Sequence, residues 1–230
     1  MLVPIFWNLV FDSMLERLSN LNNCNPLAYD DLVIFVTGNS RRQLEIHAQA
    51  ALQVLDEWCK DHKMTLSTDK TVGLMLKGKL DVERPPRLRT GRGVLKFSKT
   101  VKYLAIMIDK QFKFASHTKY VAEKGKLIMN KYAAICGLKW EVSYREMLTV
   151  YWGSFVPIIN YAAYSWVDSI NKANLNKIIS AHRSALIRIT KAYRRTTSTH
   201  ALEVISNVAP IAHELQLEKL RYCKKKRNPM

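Results

Sequence analysis

Two adjacent carboxylates, Asp30 and Asp31, stand inside an otherwise apolar run, Leu27-Ala28-Tyr29-Asp30-Asp31-Leu32-Val33-Ile34-Phe35-Val36. Like charges are costly in apolar surroundings unless something neutralises them. A solvent-exposed hairpin turn is one solution, and there an Asp-Asp pair needs no partner. Divalent cations are the other. Hard carboxylate oxygens suit magnesium, which takes a few protein carboxylates and completes its shell with substrate phosphates. Two such ions can hold the attacking hydroxyl and the leaving pyrophosphate of an in-line phosphoryl transfer. Elsewhere, Cys59 and His62 make a CxxH without a second pair at zinc spacing. Two ligands cannot close a tetrahedral site, so they read as ordinary helix residues. His182 falls on an apolar helical face and reads as a satisfied core histidine.

The elements that would carry these residues follow from periodicity. Pro4 to Leu18 reads as a helix, with Phe6, Leu9, Val10, Met14 and Leu18 on one face. Asn20 to Pro26 is a polar break, and the Asp-Asp run that follows reads as a β-hairpin with the acids at its tip. Ser40 and Gln43 have capping-box spacing and open a helix carrying Leu44, Ala48, Ala51, Leu55 and Trp58. Val72 to Leu76 and Val101 to Ile108 are expected strands. Between them lies a basic loop with Lys77, Lys79, Arg84, Arg87, Arg89, Arg92, Lys96 and Lys99 around Pro85-Pro86 and Gly91.

After Lys110 the pattern is helical. One face carries Val121, Gly125, Ile128, Tyr132 and Ile135, and another carries Leu175, Ile178, His182, Ala185 and Ile189. Met147 to Val167 has no charged residue, but Pro157 and its polar residues argue for two buried helical segments meeting at Pro157, not a membrane span. The tail Lys224-Lys225-Lys226-Arg227 reads as a nuclear address, a phosphate-binding arm or a frayed solvated end. The expected class is therefore α+β: residues 1–111 with hairpins and helices, then an all-helical basic region over 112–230.

Composition sets the function classes. The chain has 230 residues, 48% hydrophobic and 24% charged, which excludes a wholly disordered or collagenous protein. Its formal charge is +17, and the excess is uneven. Residues 1–70 hold 6 basic and 9 acidic side chains, a net −3, which leaves +20 for the remainder. A basic body of this kind implies a polyanionic partner, nucleic acid or an anionic membrane surface. Cys24, Cys59, Cys136 and Cys223 are far apart, and no basic n-region precedes the first helix, so a reduced intracellular setting is expected.

The order of these pieces resembles the reverse transcriptase of non-LTR retrotransposons, over nearly the whole chain. Pro4-Ile5-Phe6-Trp7-Asn8-Leu9-Val10-Phe11-Asp12 is similar to the tail of that family's motif B. Ala28-Tyr29-Asp30-Asp31-Leu32 resembles motif C, the metal-binding hairpin, and Leu66-Ser67-Thr68-Asp69-Lys70-Thr71 resembles motif D. Val101-Lys102-Tyr103-Leu104-Ala105-Ile106-Met107-Ile108-Asp109 resembles motif E, the primer grip. Tyr151 to Trp166 and Tyr193 to Leu202 resemble the helical region after the palm.

The resemblance implies a partial palm followed by a helical thumb and an RNA-directed DNA polymerase chemistry. Asp30 and Asp31 would bind Mg2+, and Lys70 would act as general acid toward the leaving pyrophosphate. Lys102 and Tyr103 would hold the primer end, with Arg87, Arg89 and Arg92 of the basic loop on the primer or template. The partners would be RNA template, DNA primer or target, and deoxynucleoside triphosphates, in the nucleus and without a membrane. The sequence departs from the pattern in several places. Motif A, the fingers and the front half of motif B have no match, motif C is one residue short, and Ala105 stands where motif E usually has glycine. Arg194-Arg195 is a doublet where one arginine is expected. The expectation is a chain that does not polymerise by itself, with a basic nucleic-acid-binding module or an inert remnant as the alternatives.

Overall fold

The computed structural model describes residues 3–28, 31–76, 85–91, 93–137, 143–192 and 196–227, with side chains described from residue 8 in the first helix and to residue 134 before the 143–192 segment. Two compact units divide the chain, Met1–Ala105 and Ile106–Met230. Tyr29, Asp30, Lys77, Lys79, Arg84, Arg92 and Tyr193 to Arg195 lie outside the described residues.

The first unit opens with helix α1 (Val3–Ser19), strands β1 (Cys24–Ala28) and β2 (Leu32–Val36), and helix α2 (Arg41–Asp61). β1 and β2 form the expected antiparallel hairpin, with Ala28 opposite Leu32 and Cys24 opposite Val36. Its first strand reaches further back than the sequence implies, because Asn25 and Pro26 pair within it opposite Phe35 and Ile34. Proline is tolerated there because each strand of a two-stranded sheet is an edge.

The face read for α1 needs correction. Met14 and Leu18 are fully buried and Phe11 and Leu15 pack beside them, but Leu9 is 65% and Val10 38% exposed. Among the described side chains, the hairpin and α2 meet only the second half of the helix. The α2 stripe holds better: Ala51, Leu55, Trp58 and Cys59 close the core with Met14, Leu18 and Cys24. Ser40 Oγ accepts the Gln43 backbone N–H at 3.2 Å, and Gln43 Oε1 accepts the Asn39 N–H at 2.9 Å, so the box closes one residue earlier than its usual form.

The stretch read as a loop between two strands is more structured than that. β3 (Val72–Leu74) pairs with β6 (Lys96–Ser98) in parallel, a departure from the all-antiparallel expectation. β4 (Arg89–Thr90) and β5 (Gly93–Val94) make a small antiparallel ladder. The single strand expected over Val101 to Ile108 is instead two, β7 (Thr100–Tyr103) and β8 (Ile106–Asp109), joined at Leu104-Ala105. Both joining residues are left-handed, φ 44° and 63°. That conformation favours glycine, so Ala105 occupies it at a steric cost.

The second unit is helical beyond β8: α3 (Ala115–Gly137), α4 (Tyr144–Val150), α5 (Val156–Asn160), α6 (Ala163–Trp166), α7 (Lys172–Thr190), α8 (Thr199–Ile205) and α9 (Ile211–Arg227). Its core joins Val121, Ala122 and Met129 of α3 to Ile178, Ala185, Leu186 and Ile189 of α7, with Phe155, Ile159 and Trp166 between. Tyr132, read on the inner face of α3, is 42% exposed, because the buried stripe runs through Ala122 and Met129. Around Pro157 the chain does not break as expected: α4 continues through a π-helical turn over Tyr151–Phe155 directly into α5, with the proline in its first turn. A proline lacks the N–H that a first turn leaves unused. The reversal comes later, at Ala162 with φ 48°. No helix among the described residues is long and apolar enough to cross a membrane. The basic tail, for which a frayed end is one of three readings, is helical through Arg227.

His182 is fully buried, with Nδ1 3.0 Å from the Tyr151 hydroxyl and Nε2 3.3 Å from Glu203 Oε1. Burial holds its pKa below the ordinary histidine value, against the pull of Glu203. Burial also raises Tyr151, and the Glu214 and Glu203 charges add to this. His117 is buried too, its Nδ1 accepting the Met107 N–H at 3.3 Å and its ring set edge-on to Trp166.

Burial pushes His117 down to about 4. The unfolded chain, with an ordinary histidine near ~6.5, takes up a proton that the folded chain refuses. Stability present above about pH 6.5 is therefore expected to fall as the pH drops toward about 4. Urea unfolding at several pH values checks this, and His117→Gln is expected to flatten the dependence. A second expectation concerns Gly125, where an added Cβ would sit 2.8 Å from the Phe155 ring. Phe155 is fully buried and has little room to yield. Gly125→Val is expected to cost about 1–3 kcal/mol in the same unfolding measurement.

Candidate active site

The hairpin register leaves three residues, 29–31, between the paired ends of β1 and β2. Asp31 sits in this connection, exposed, and no described residue pairs with it. Leu32 and Ile34 just beyond it turn inward onto the core of Met14, Leu18, Leu55 and Trp58. β1 alternates inward and outward along its length, whereas Leu32, Val33 and Ile34 of β2 are all partly buried. Asp31 offers hard oxygen ligands of the kind magnesium takes. Among the described residues no group of three or more His, Cys, Asp or Glu gathers around any point. Asp30 lies outside the described residues.

Lys70 ends a tight turn after α2, its N–H donating to the Ser67 carbonyl at 3.3 Å, while Thr71 Oγ1 donates to the same oxygen at 2.7 Å. Its side chain is exposed. Leu66 at the start of this turn packs on the same core as Leu32, so one cluster holds the bases of both the Asp31 and the Lys70 segments. Lys102 is exposed and Tyr103 half-buried on β7. The CxxH pair serves packing: His62 stacks on Trp58 at 4.2 Å and Cys59 is buried, which raises its thiol.

Arg87 and Arg89 belong to a different arrangement, one that sequence reasoning missed. The polar edge of α2 holds the backbone of residues 87–91. Glu45 Oε1 accepts the Arg87 N–H at 2.9 Å, and Gln49 Oε1 accepts the Arg89 N–H at 2.9 Å. Gln49 Nε2 donates to the Arg89 carbonyl at 2.7 Å, and Asp56 Oδ2 accepts the Gly91 N–H at 3.0 Å. The Arg87 backbone N–H, with the Arg41 guanidinium behind it, lowers the Glu45 carboxyl below its ordinary value. Between these bonds Leu88 turns inward onto Leu52 and Leu95. The available signal was the alternation of Leu88 with arginines, against acceptors at positions 45, 49 and 56 along one side of a helix.

A reverse transcriptase (RNA-dependent DNA polymerase) family model matches residues 1–108. The chain is similar to the reverse transcriptases of non-LTR retrotransposons. It is 28% identical, over 99% of its length, to a putative 115 kDa protein in the type-1 retrotransposable element R1DM of Drosophila melanogaster, of which it covers 22%. It is 29% identical, over 84% of its length, to a retrovirus-related Pol polyprotein from the type-1 retrotransposable element R1 4 of Nasonia vitripennis, of which it covers 53%. A probable RNA-directed DNA polymerase from transposon BS of Drosophila melanogaster is 26% identical over 74% of this chain. The chain thus spans about a fifth to a half of the first two relatives' length. No solved structure matches it.

The clamp makes a direct expectation. Gln49→Ala removes both bonds to Arg89 and is expected to cost about 1–2 kcal/mol and to speed amide exchange at residues 87–91. Hydrogen exchange followed by mass spectrometry would show protection confined to this segment falling. Unchanged exchange would mean that the side-chain bonds do not hold the strand.

Proposed function

We propose that this chain carries the part of a retrotransposon RNA-directed DNA polymerase that bears one edge of the metal site and the primer-holding elements. Residues 1–111 act as part of a palm and residues 112–230 as a thumb. The observation that carries this is the hairpin with Asp31 free in its connection, set between α1 and α2 and followed by the Lys70 turn, all inside the family-matched segment. Asp30 and Asp31 would hold Mg2+, which when bound neutralises charge on the attacking hydroxyl and the leaving pyrophosphate. Lys70 gives a proton from Nζ to that pyrophosphate. Lys102 and Tyr103 hold the primer terminus, and the basic residues Arg87, Arg89 and Arg92 bind primer or template. The substrates are deoxynucleoside triphosphates, an RNA template and a DNA primer.

The 230 residues alone are not expected to polymerise. The carboxylates at the hairpin are too few for a two-ion site, and an under-coordinated ion leaves the 3′-hydroxyl unactivated. Nucleic-acid binding without catalysis is the second reading, favoured by the same shortage among the described residues.

Primer extension on an RNA template, with magnesium and all four nucleotides, tests both. Neither the chain nor its Asp30→Asn, Asp31→Asn double variant is expected to give product. Extension that disappears in the double variant would mean another carboxylate, Asp12 or Asp69, completes the site. Replacing magnesium with ferrous iron and adding peroxide gives a second readout, because hydroxyl radicals cut the backbone near the bound ion. Cuts are expected around residues 29–32 and are expected to vanish in the double variant. Uniform cutting would remove the metal assignment.

A further inference from the structure

The outer side of α2 carries Arg42, Ile46, Ala50 and Gln53, each four or three residues from the last and so on one helical stripe. Ile46 is 57% exposed. Alongside runs the clamped segment 85–91. Between helix and segment lies an open groove of about 430 Å³ lined by Glu45, Ile46, Gln49, Ala50, Gln53 and Arg87.

The arginine wall of this groove is built, not merely basic. Backbone N–H bonds to Glu45 and Gln49 hold residues 87 and 89 against the helix, Asp56 holds Gly91 in the turn that follows, and the inward Leu88 fixes the facing of the two arginines. Alternation then sends Arg87 and Arg89 to the same outward side, about 6–7 Å apart along the strand. That spacing is comparable with successive phosphates on one nucleic-acid strand. The carboxylates of Glu45 and Asp56 are already engaged by backbone N–H groups. The Arg42 and Arg89 side chains have no partner among the described residues.

We propose that this groove binds a single-stranded stretch of nucleic acid. Phosphates lie on Arg87 and Arg89, one base rests its face on Ile46 and Ala50, and the Gln53 amide hydrogen-bonds the edge of that base. Arg42 receives the next phosphate. An apolar floor is useful only to a base whose face is free of its neighbours, which selects a single strand over a duplex. The assignment rests on the reading that the chain acts on nucleic acid. It names which part of that polymer the α2 side takes: an unpaired stretch, held at a place that the Asp31 hairpin and the Lys70 turn do not share.

Fluorescence anisotropy of a labelled unstructured RNA against rising salt tests this with the full chain. An Arg87→Ala, Arg89→Ala variant keeps both backbone N–H groups and so keeps the clamp. It is expected to bind at least about tenfold more weakly, and the slope of log affinity against log salt is expected to fall by about 1.4, the value for two lost phosphate contacts to a single strand. Ile46→Ala with Gln53→Ala is expected to weaken binding severalfold and leave the slope unchanged, because no charge is removed. Urea unfolding of each variant confirms that it folds. Wild-type affinity and slope in the double arginine variant would overturn the groove. If binding then falls on Lys102→Ala, the polymerase reading stands while the groove does not. A full chain that binds no RNA would overturn the groove and remove the nucleic-acid reading with it.

Discussion

The first unit depends on one helix that is used on more than one side. α2 closes the main core with Ala51, Leu55, Trp58 and Cys59 and a smaller one with Leu52. Along the edge between these faces, Glu45, Gln49 and Asp56 offer acceptors to three alternate backbone N–H groups. A short strand beside a helix has no ladder partner on that side, and buried or half-buried N–H groups left unpaired cost about 1–3 kcal/mol each. Side chains of α2 take the place of a neighbouring strand. A basic stretch that would otherwise be a solvated loop acquires a defined course.

The same helix positions the chemistry. Its packing against α1 and the hairpin gives Leu32 and Leu66 a common core, and the exposed Asp31 and Lys70 stand on the segments those residues anchor. The hairpin has only two strands, with Leu27 57% and Phe35 41% exposed on its outer face. An edge strand with apolar side chains outward is a surface that natural proteins cover.

The second unit solves a different problem, that of burying polar groups in an all-helical core. His182, Tyr151 and Glu203 are almost wholly buried and face one another, and the second oxygen of Glu203 lies 3.1 Å from Nδ1 of the exposed His200. The π-helical turn at Tyr151–Phe155 brings Tyr151 and Phe155 into stacked contact at 5.1 Å, and Gly125 of α3 lets that ring approach. Widened turns of this kind shift the register of a helix by one residue. The aromatic stretch that looked long enough for a membrane is interrupted after Asn160, at the left-handed Ala162.

What was legible in the sequence is what local chemistry dictates. The Asp-Asp hairpin, the capped start of α2 and the burial of His182 follow from alternation, side-chain capping and helical periodicity, all of which act within a few residues. The ordered motifs likewise carried the resemblance to reverse transcriptases. Other features needed partners distant in the chain. Which face of α1 is inner depends on where the hairpin and α2 touch it, so Leu9 and Val10 looked apolar enough to be core and are not. The parallel pairing of β3 with β6 spans more than twenty residues and leaves no local signature. Above all, Arg87 and Arg89 read as members of a diffuse basic loop until Glu45, Gln49 and Asp56 were set against them. Charge is a property of composition, whereas the direction in which an arginine points belongs to whatever holds its backbone.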